Sequence, residues 1–317
     1  MWNGLEGRDY FGEKCSAITA LKFQRKLIHI RTYRNWGKSM TNIIETDYLY
    51  HYTSLEKLAL ILKNRTIRLS PLDKMDDRQE QKTSDVENVG RFVFVSSWTD
   101  DSAESIPMWK MYTDPLAGVR IRMRKNPFKW HTTKGADLEK ILHMPANDEA
   151  SRNASVRTFL DIAKMMDGGY MSPQCWKGEI LKEVEYTDDL SLLEPRVSET
   201  NGNRMSINLG ALGKHKNSYW KFQREWRYIM VFMPMNFKTD VGDMERYAIE
   251  MTYKMLNGVQ APPFPFYDLE IADENFEEME VTCSPQMTPG NRILLESLLK
   301  DLNPKARILD SKLLGNL

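Results

Sequence analysis

Apolar residues recur along this chain with two periods, and the changes from one to the other mark out its elements. A short apolar run, Leu49-Tyr50-His51-Tyr52, reads as a strand that ends near the histidine. A helix follows at once. Leu55, Leu58, Ala59 and Leu62 fall on one helical stripe, and Thr53 with Glu56 has capping-box spacing. The spacing therefore predicts His51 at a strand end beside a helix N-terminus, where free N–H groups suit a polar or anionic ligand. The plainer alternative is a corner histidine that only satisfies backbone groups. Thr66 to Ser70 alternates and reads as a strand. Arg91 to Thr99 is a continuous apolar run, the mark of a strand buried on both faces, and it ends in Ser96-Ser97-Trp98. Hydroxyls beside an aromatic at a strand end suit a ligand cleft.

Pro107 stands where a first helical residue would, and the helix runs to Tyr112. Trp109 and Tyr112 are three apart and share a face, either as core packing or as an aromatic wall. Ala117 to Met123 alternates strictly: Val119, Ile121 and Met123 point one way, while Arg120, Arg122 and Arg124 point the other. Such an arginine face must be solvated or neutralised, and phosphates would neutralise it. Residues 130–186 read as mostly helical, with an amphipathic helix near 151–166 that Gly168-Gly169 breaks and a strand from Trp176 to Tyr186. Residues 187–206 read as polar loop. Trp220 to Phe232 is an aromatic-rich strand by propensity, with Glu225 and Arg227 opposite Trp226 and Tyr228. There the carboxylate is either half of a same-face ion pair or a group delivered into a cleft by a rigid element. Residues 245–253 read as a further strand and 261–266 as a proline-aromatic turn. Thr288-Pro289 opens a last helix to about Leu302, with Leu294, Leu295, Leu298 and Leu299 on its buried face, before a short strand from Ala306 to Leu309.

Composition changes this picture little. The chain has 317 residues, 41% of them hydrophobic, enough for a core without disulfides or metal. Cys15, Cys175 and Cys283 lie far apart, neither a disulfide framework nor a zinc spacing, which fits a reducing cytoplasmic setting. No apolar run is long enough to span a bilayer, and the first residues lack a signal core. Lysines and arginines number 44, as do aspartates and glutamates, so a chain-wide phosphate-binding surface is not expected. The charge is uneven, however. Between Lys14 and Lys38 there are basic residues and no acids, with Phe23, Tyr33 and Trp36 interleaved. This stretch reads as a nucleic-acid arm, as a helix docked with its charge to water, or as an extension upstream of a start at Met40. From Asp268 to Glu280 there are acids and no bases, which can pair with that leader or keep an edge strand soluble. Asp73, Asp76, Asp77 and Glu80 crowd the loop 71–80. They lack EF-hand order and its glycine, so no metal site is expected, and the loop is either solvated or capping a site. The chain thus divides into a basic extension, 1–39, and one domain, 40–317.

Three pieces stand in order: His51-Tyr52-Thr53-Ser54, then Ser96-Ser97-Trp98 with Met108-Trp109-Lys110-Met111-Tyr112, then Gln223-Arg224-Glu225-Trp226-Arg227. Over about residues 47–310 this order resembles a widespread bacterial family of unknown function. That family's pattern is a His-Tyr-Thr start, an Asp-rich loop ending in Glu, a Met-Trp-x-x-Tyr helix before a Gly-containing strand, and a late Glu-aromatic-Arg strand. The family in turn resembles the ADP-ribosyltransferase fold of the His-Tyr-Glu type. The resemblance implies an α+β fold with a split, bent β-sheet and flanking helices. It implies NAD as substrate, His51 on a ribose hydroxyl, and backbone beside it, at Tyr52 and Thr53, on the nicotinamide amide. It further implies Ser96 and Ser97 flanking the cleft, Tyr112 with Trp109 stacking on nicotinamide, and Glu225 as the catalytic acidic residue. Tyr52 departs from the pattern, which has glycine there, and its side chain narrows the pocket.

The expected activity is transfer of ADP-ribose from NAD to a macromolecule, with RNA the favoured acceptor and Arg68, Arg120 and Arg122 as phosphate contacts. By the same resemblance the protein would be a toxin of a toxin–antitoxin or phage-defence system, restrained by an antitoxin partner. Transfer to protein, NAD hydrolysis and a non-catalytic binding module on the same fold are the alternatives.

Overall fold

The computed structural model describes residues 47–142, 149–176, 180–201, 204–240, 243–258 and 261–315. The basic extension lies outside the described residues. Nine strands form the central sheet and are numbered in chain order: β1 Tyr48–Ser54, β2 Thr66–Pro71, β3 Val93–Thr99, β4 Gly118–Arg124, β5 Leu181–Glu183, β6 Glu225–Val231, β7 Tyr267–Glu270, β8 Glu280–Cys283 and β9 Arg307–Leu309. Four helices bear on the argument: α1 Leu55–Asn64, α2 Ile106–Tyr112, α3 Met244–Leu256 and α4 Pro289–Leu302. The fold is α+β, with a mixed sheet in which β8 and β9 pair parallel.

Strand β3 organises the sheet. One of its edges pairs with β6 along its whole length, from Val93 opposite Val231 to Thr99 opposite Glu225. The other edge is shared. β2 takes Phe94 and Val95, and β1 takes only Thr99, through Tyr50. Two half-sheets result, β5-β6-β3-β2-β7 and β1-β4-β8-β9, joined through that one pair of residues. Between the two contacts Ser96, Ser97 and Trp98 have no strand partner on that edge, so the sheet opens there.

The core explains the sequence patterns. Val93, Val95, Ile229 and Val231 pack on one face of β3 and β6, while Phe94, Trp98, Tyr228 and Met230 pack on the other. The stretches Val93–Val95 and Tyr228–Val231 are buried on both faces and hence read as unbroken apolar runs. β1 and β4 bury Leu49, Val119, Ile121 and Met123 against Leu58, Ile61 and Leu62 of α1. Gly118 opens β4 because a Cβ there would collide with the Thr113 side chain and the Asp114 carbonyl.

Several expectations change. His51 sits in the middle of β1, opposite Ile121 of β4, and not at a strand end. The cap of α1 is Ser54, whose hydroxyl accepts from the Lys57 amide at 3.2 Å; Thr53 belongs to β1 and is buried. The expected strand at 245–253 is helix α3. Tyr247, Met251 and Met255 fall every four residues and pack on β3 and β6, a helical period that β-favouring residue types mask. The expected helix 151–166 is instead a short helix, Glu149–Asn153, a strand, Ser155–Thr158, and a second helix, Ile162–Asp167. Residues 187–206 hold a helical turn, Leu190–Leu193, and the hairpin strands Ser198–Asn201 and Arg204–Ile207. On α4, Leu295 and Leu299 are buried but Leu294 is exposed. The aromatic run before Glu225 is a 3-10 helix, Ser218–Gln223, capped by the Asn217 side chain; Arg224 then turns the chain with φ 45° before β6 begins at Glu225. A positive φ at a residue with a side chain stores strain beside the proposed acidic group.

Candidate active site

A cavity opens where the half-sheets part. β1 contributes Tyr50, His51 and Tyr52 to its wall, β3 contributes Ser97 and Trp98, α2 contributes Met108 and Tyr112, and β6 contributes Glu225 and Arg227. Lys216, Trp220 and Gln223 come from the segment before β6, and Met75, Asp76, Asp77 and Glu80 from the acidic loop after β2. That loop is therefore a wall of the cavity, the second of the two roles open to it.

Glu225 is buried, and both its oxygens are held. Arg227 donates from Nε to Oε1 at 2.6 Å, and Lys216 donates from Nζ to Oε2 at 3.0 Å. Glu80 binds the same two cations from the other side, with Oε1 3.1 Å from Lys216 Nζ and Oε2 2.5 Å from Arg227 Nη1. Arg227 Nη1 also donates to the Gly213 carbonyl at 3.2 Å, which a turn with φ 78° at that glycine exposes. Lys216 donates further to Gln223 Oε1 at 2.8 Å, and the Gln223 amide donates to the Tyr112 hydroxyl. The Glu225 amide donates to the Tyr186 hydroxyl at 2.8 Å and fixes the start of β6. Burial disfavours the Glu225 charge, but Arg227, Lys216 and a hydrogen bond from Ser97 overcome it and hold the pKa at about 2. The carboxylate is rigid and ionised.

His51 lines the same cavity as Glu225. Its Nδ1 lies 2.8 Å from the Ser97 carbonyl, on the edge of β3 that the split leaves open. A carbonyl can only accept, so Nδ1 carries the proton. Burial, opposed by this bond and aided by the charge of Lys57, lowers the pKa to about 4. The ring is neutral at pH 7, with Nε2 left as an acceptor. Trp98 lies against it, ring centres 5.0 Å apart. The Tyr112 pKa is raised by burial and by the charges of Glu225, Asp76 and Glu80, so the phenol keeps its proton. Four carboxylates and two cations line this cavity, a field that favours positive charge within it.

Of the residues singled out from sequence, His51, Tyr52, Ser97, Tyr112 and Glu225 meet here. Tyr52 is a buried wall whose hydroxyl accepts from the Ser105 amide at 3.1 Å. Trp109 is separated from Tyr112: it packs edge-on against Tyr52 at 4.9 Å and donates from Nε1 to Glu104, behind the wall and not in the cavity. Thr53 and Ser96 border a second cavity that also reaches His51.

The arginines are partnered inside the chain. Arg122 pairs with Glu280 and lies 3.6 Å above the Tyr48 ring. Arg124 pairs with Glu278 at 2.7 Å, and Arg68 pairs with Asp268 at 2.9 Å. Arg120 is buried above Tyr50 at 4.1 Å and donates to the Ser102 carbonyl. The acidic stretch 268–280 supplies three of these partners, so the neutralising groups on this face are carboxylates and aromatic rings.

Sequence reasoning missed Lys216 and Trp220 and gave Glu80 and Gln223 no individual role. The only signal was that Glu80 closes the Asp-rich loop; nothing around Lys216 marks it. Among the described residues no cluster of histidine, cysteine or carboxylate side chains is arranged to hold a metal ion, and no helix is long and apolar enough to cross a membrane. The chain matches no protein-family model and no curated protein.

Proposed function

We propose that the cavity binds NAD and that the protein is an ADP-ribosyltransferase. One observation carries the reading. His51 and Glu225, distant in sequence and on different half-sheets, line a single aromatic-walled cavity at the split of the sheet. In this reading His51 Nε2 accepts from a ribose hydroxyl, and Tyr112 and Trp98 flank the nicotinamide. The bond between nicotinamide nitrogen and ribose C1′ breaks with its electron pair leaving on nicotinamide. Positive charge then develops on the sugar, as in glycoside cleavage. Glu225, ionised and held from two sides, stabilises that charge without having to reorganise. The acceptor's nucleophile attacks C1′ and releases its proton to solvent. The carboxylate-rich lining favours both the cationic nicotinamide ring and the developing cation.

The acceptor is a macromolecule in this proposal. The preference for RNA now rests on the basic stretch 14–38 alone, because Arg68, Arg120 and Arg122 have partners within the chain. A toxin restrained by an antitoxin remains part of the proposal through the resemblance of its motifs.

A second reading has its own support. Both Glu225 oxygens already accept from cations, as in a structural ion pair, and on this reading NAD is bound but not cleaved. Incubation with NAD labelled in its adenylate half, with RNA, DNA or lysate protein, separates the two. Transfer is expected in wild type, with a loss on the order of a hundred- to a thousandfold in Glu225→Gln. Nicotinamide release without labelled acceptor would make the protein a hydrolase. Binding with no nicotinamide release in wild type would remove the enzymatic reading.

A further inference from the structure

The second cavity lies on the α1 side of the split. Its wall is built from α1, β2 and the inward-facing Thr53 and Ser96, and His51 is the one residue it shares with the candidate active site. The two chambers differ in charge. The first is lined by four carboxylates and two cations, while the second is lined by Lys57, Arg68 and a single carboxylate, Asp268. A dinucleotide has one cationic end and an anionic middle. The first chamber suits the former and repels the latter.

One cation of the second chamber is free of an ion pair, and the other is oriented by one. Lys57 has no ion pair among the described residues, and its charge is felt at His51. The Asn64 side chain on the same wall likewise has no hydrogen-bond partner among them. Arg68 is held in place by a bidentate pair with Asp268, Nε to Oδ1 at 2.9 Å and Nη2 to Oδ2 at 3.0 Å, and by the Phe266 ring at 3.4 Å. That clamp leaves Nη1 unused. Leu60 and Ile61 add apolar surface to the same wall.

We propose that this second cavity is a nucleoside-diphosphate site. Its phosphates lie against Lys57, Asn64 and Arg68 Nη1, and its base lies against Leu60 and Ile61. Resting on the NAD reading above, the cavity takes the ADP half of that molecule, and His51 stands at the junction of the two chambers. Thr53 and Ser96, whose hydroxyl accepts from Trp98 Nε1 at 3.1 Å, line the same cavity as His51.

The test is calorimetric titration of the full chain with ADP and, separately, with nicotinamide. Wild type is compared with Lys57→Glu and with Lys63→Glu. Both lysines are exposed on α1, but only Lys57 borders the cavity, so both variants should fold and the second controls for general charge. ADP should bind wild type and Lys63→Glu equally and Lys57→Glu at least about tenfold more weakly, the scale of one lost charge-assisted contact. Nicotinamide binding should be the same in all three. No ADP binding to wild type, or equal weakening in both variants, would overturn the proposal. Failure of NAD turnover with ADP binding still lost in Lys57→Glu would overturn the transferase reading and leave the diphosphate site standing.

Discussion

Strands β4 and β6 carry the same kind of pattern, charged residues alternating with apolar ones, and the fold treats them in opposite ways. On β4 the arginines meet aromatic rings of β1 and carboxylates of and before β8, and the face grades outward to solvent; the Arg124–Glu278 pair is about half exposed on both sides. On β6 the charged face is sealed. Arg227 and Glu225 are all but inaccessible, and their remaining partners, Lys216 and Glu80, arrive from two other segments. An exposed pair gains little because water screens it and the side chains lose entropy. A sealed group of two carboxylates and two cations has its desolvation offset only while every member is present. The first arrangement neutralises a surface, while the second holds a carboxylate in one position and one charge state.

This contrast is open to attack at four points, the largest first. Glu80→Ala removes the carboxylate shared by Lys216 and Arg227 and should destabilise the fold by about 3–5 kcal/mol in denaturant unfolding; a change under about 1 kcal/mol would mean that water enters the network freely. Glu225→Gln keeps an acceptor for Arg227 but turns an amide donor toward Lys216 and leaves the network one negative charge short, so it should cost about 1–3 kcal/mol in denaturant unfolding; NAD turnover, measured on the folded fraction, should still fall on the order of a hundredfold or more, and undiminished turnover there would reduce the residue to a structural role. The third point is pH. His51 has a folded pKa near 4 against 6.5 for the free side chain, so between these values the unfolded chain binds the extra proton. Stability on this account is fully present above about pH 6.5, falls as pH drops towards 4, and changes no further below that. The loss should reach about 3 kcal/mol and should be absent in His51→Gln; a pH profile identical in the two proteins would rule it out. Glu225 adds to the same trend further down, since its lowered pKa makes its contribution disappear as pH falls from about 4.5 towards 2. The smallest effect is expected for Glu278→Ala on the arginine face, below about 1 kcal/mol and weaker still in high salt.

The residues differ in how far local pattern reveals them. His51 stands out because it interrupts an apolar run, whereas Glu225, set between Arg224 and Trp226-Arg227, stands out only through the resemblance of the Glu-Trp-Arg motif. Tyr112 was visible as one of an aromatic pair on a short helix, but helical spacing does not say which ring faces a cavity and which backs a wall. Trp109 was misplaced for that reason. Glu80 and Lys216 look like ordinary charged residues in polar segments, and only their position in space makes them half of the network. The arginines of β4 and Arg68 raised the prospect of phosphate because their carboxylates lie some 150 to 200 positions away, beyond the reach of any periodicity.

The helix after β1, the doubly buried β3 and the opposed faces of β4 and β6 follow from residue order alone. An element that buries one face must repeat its apolar positions at its own period, and a strand buried twice must be apolar throughout. The parting of the half-sheets, the choice of Glu80 and Lys216 as partners of Glu225, and the second chamber behind His51 arise only once the chain has folded. A charge is neutralised by whatever group the fold brings within a few ångströms of it, and that pairing leaves no periodic trace along the chain.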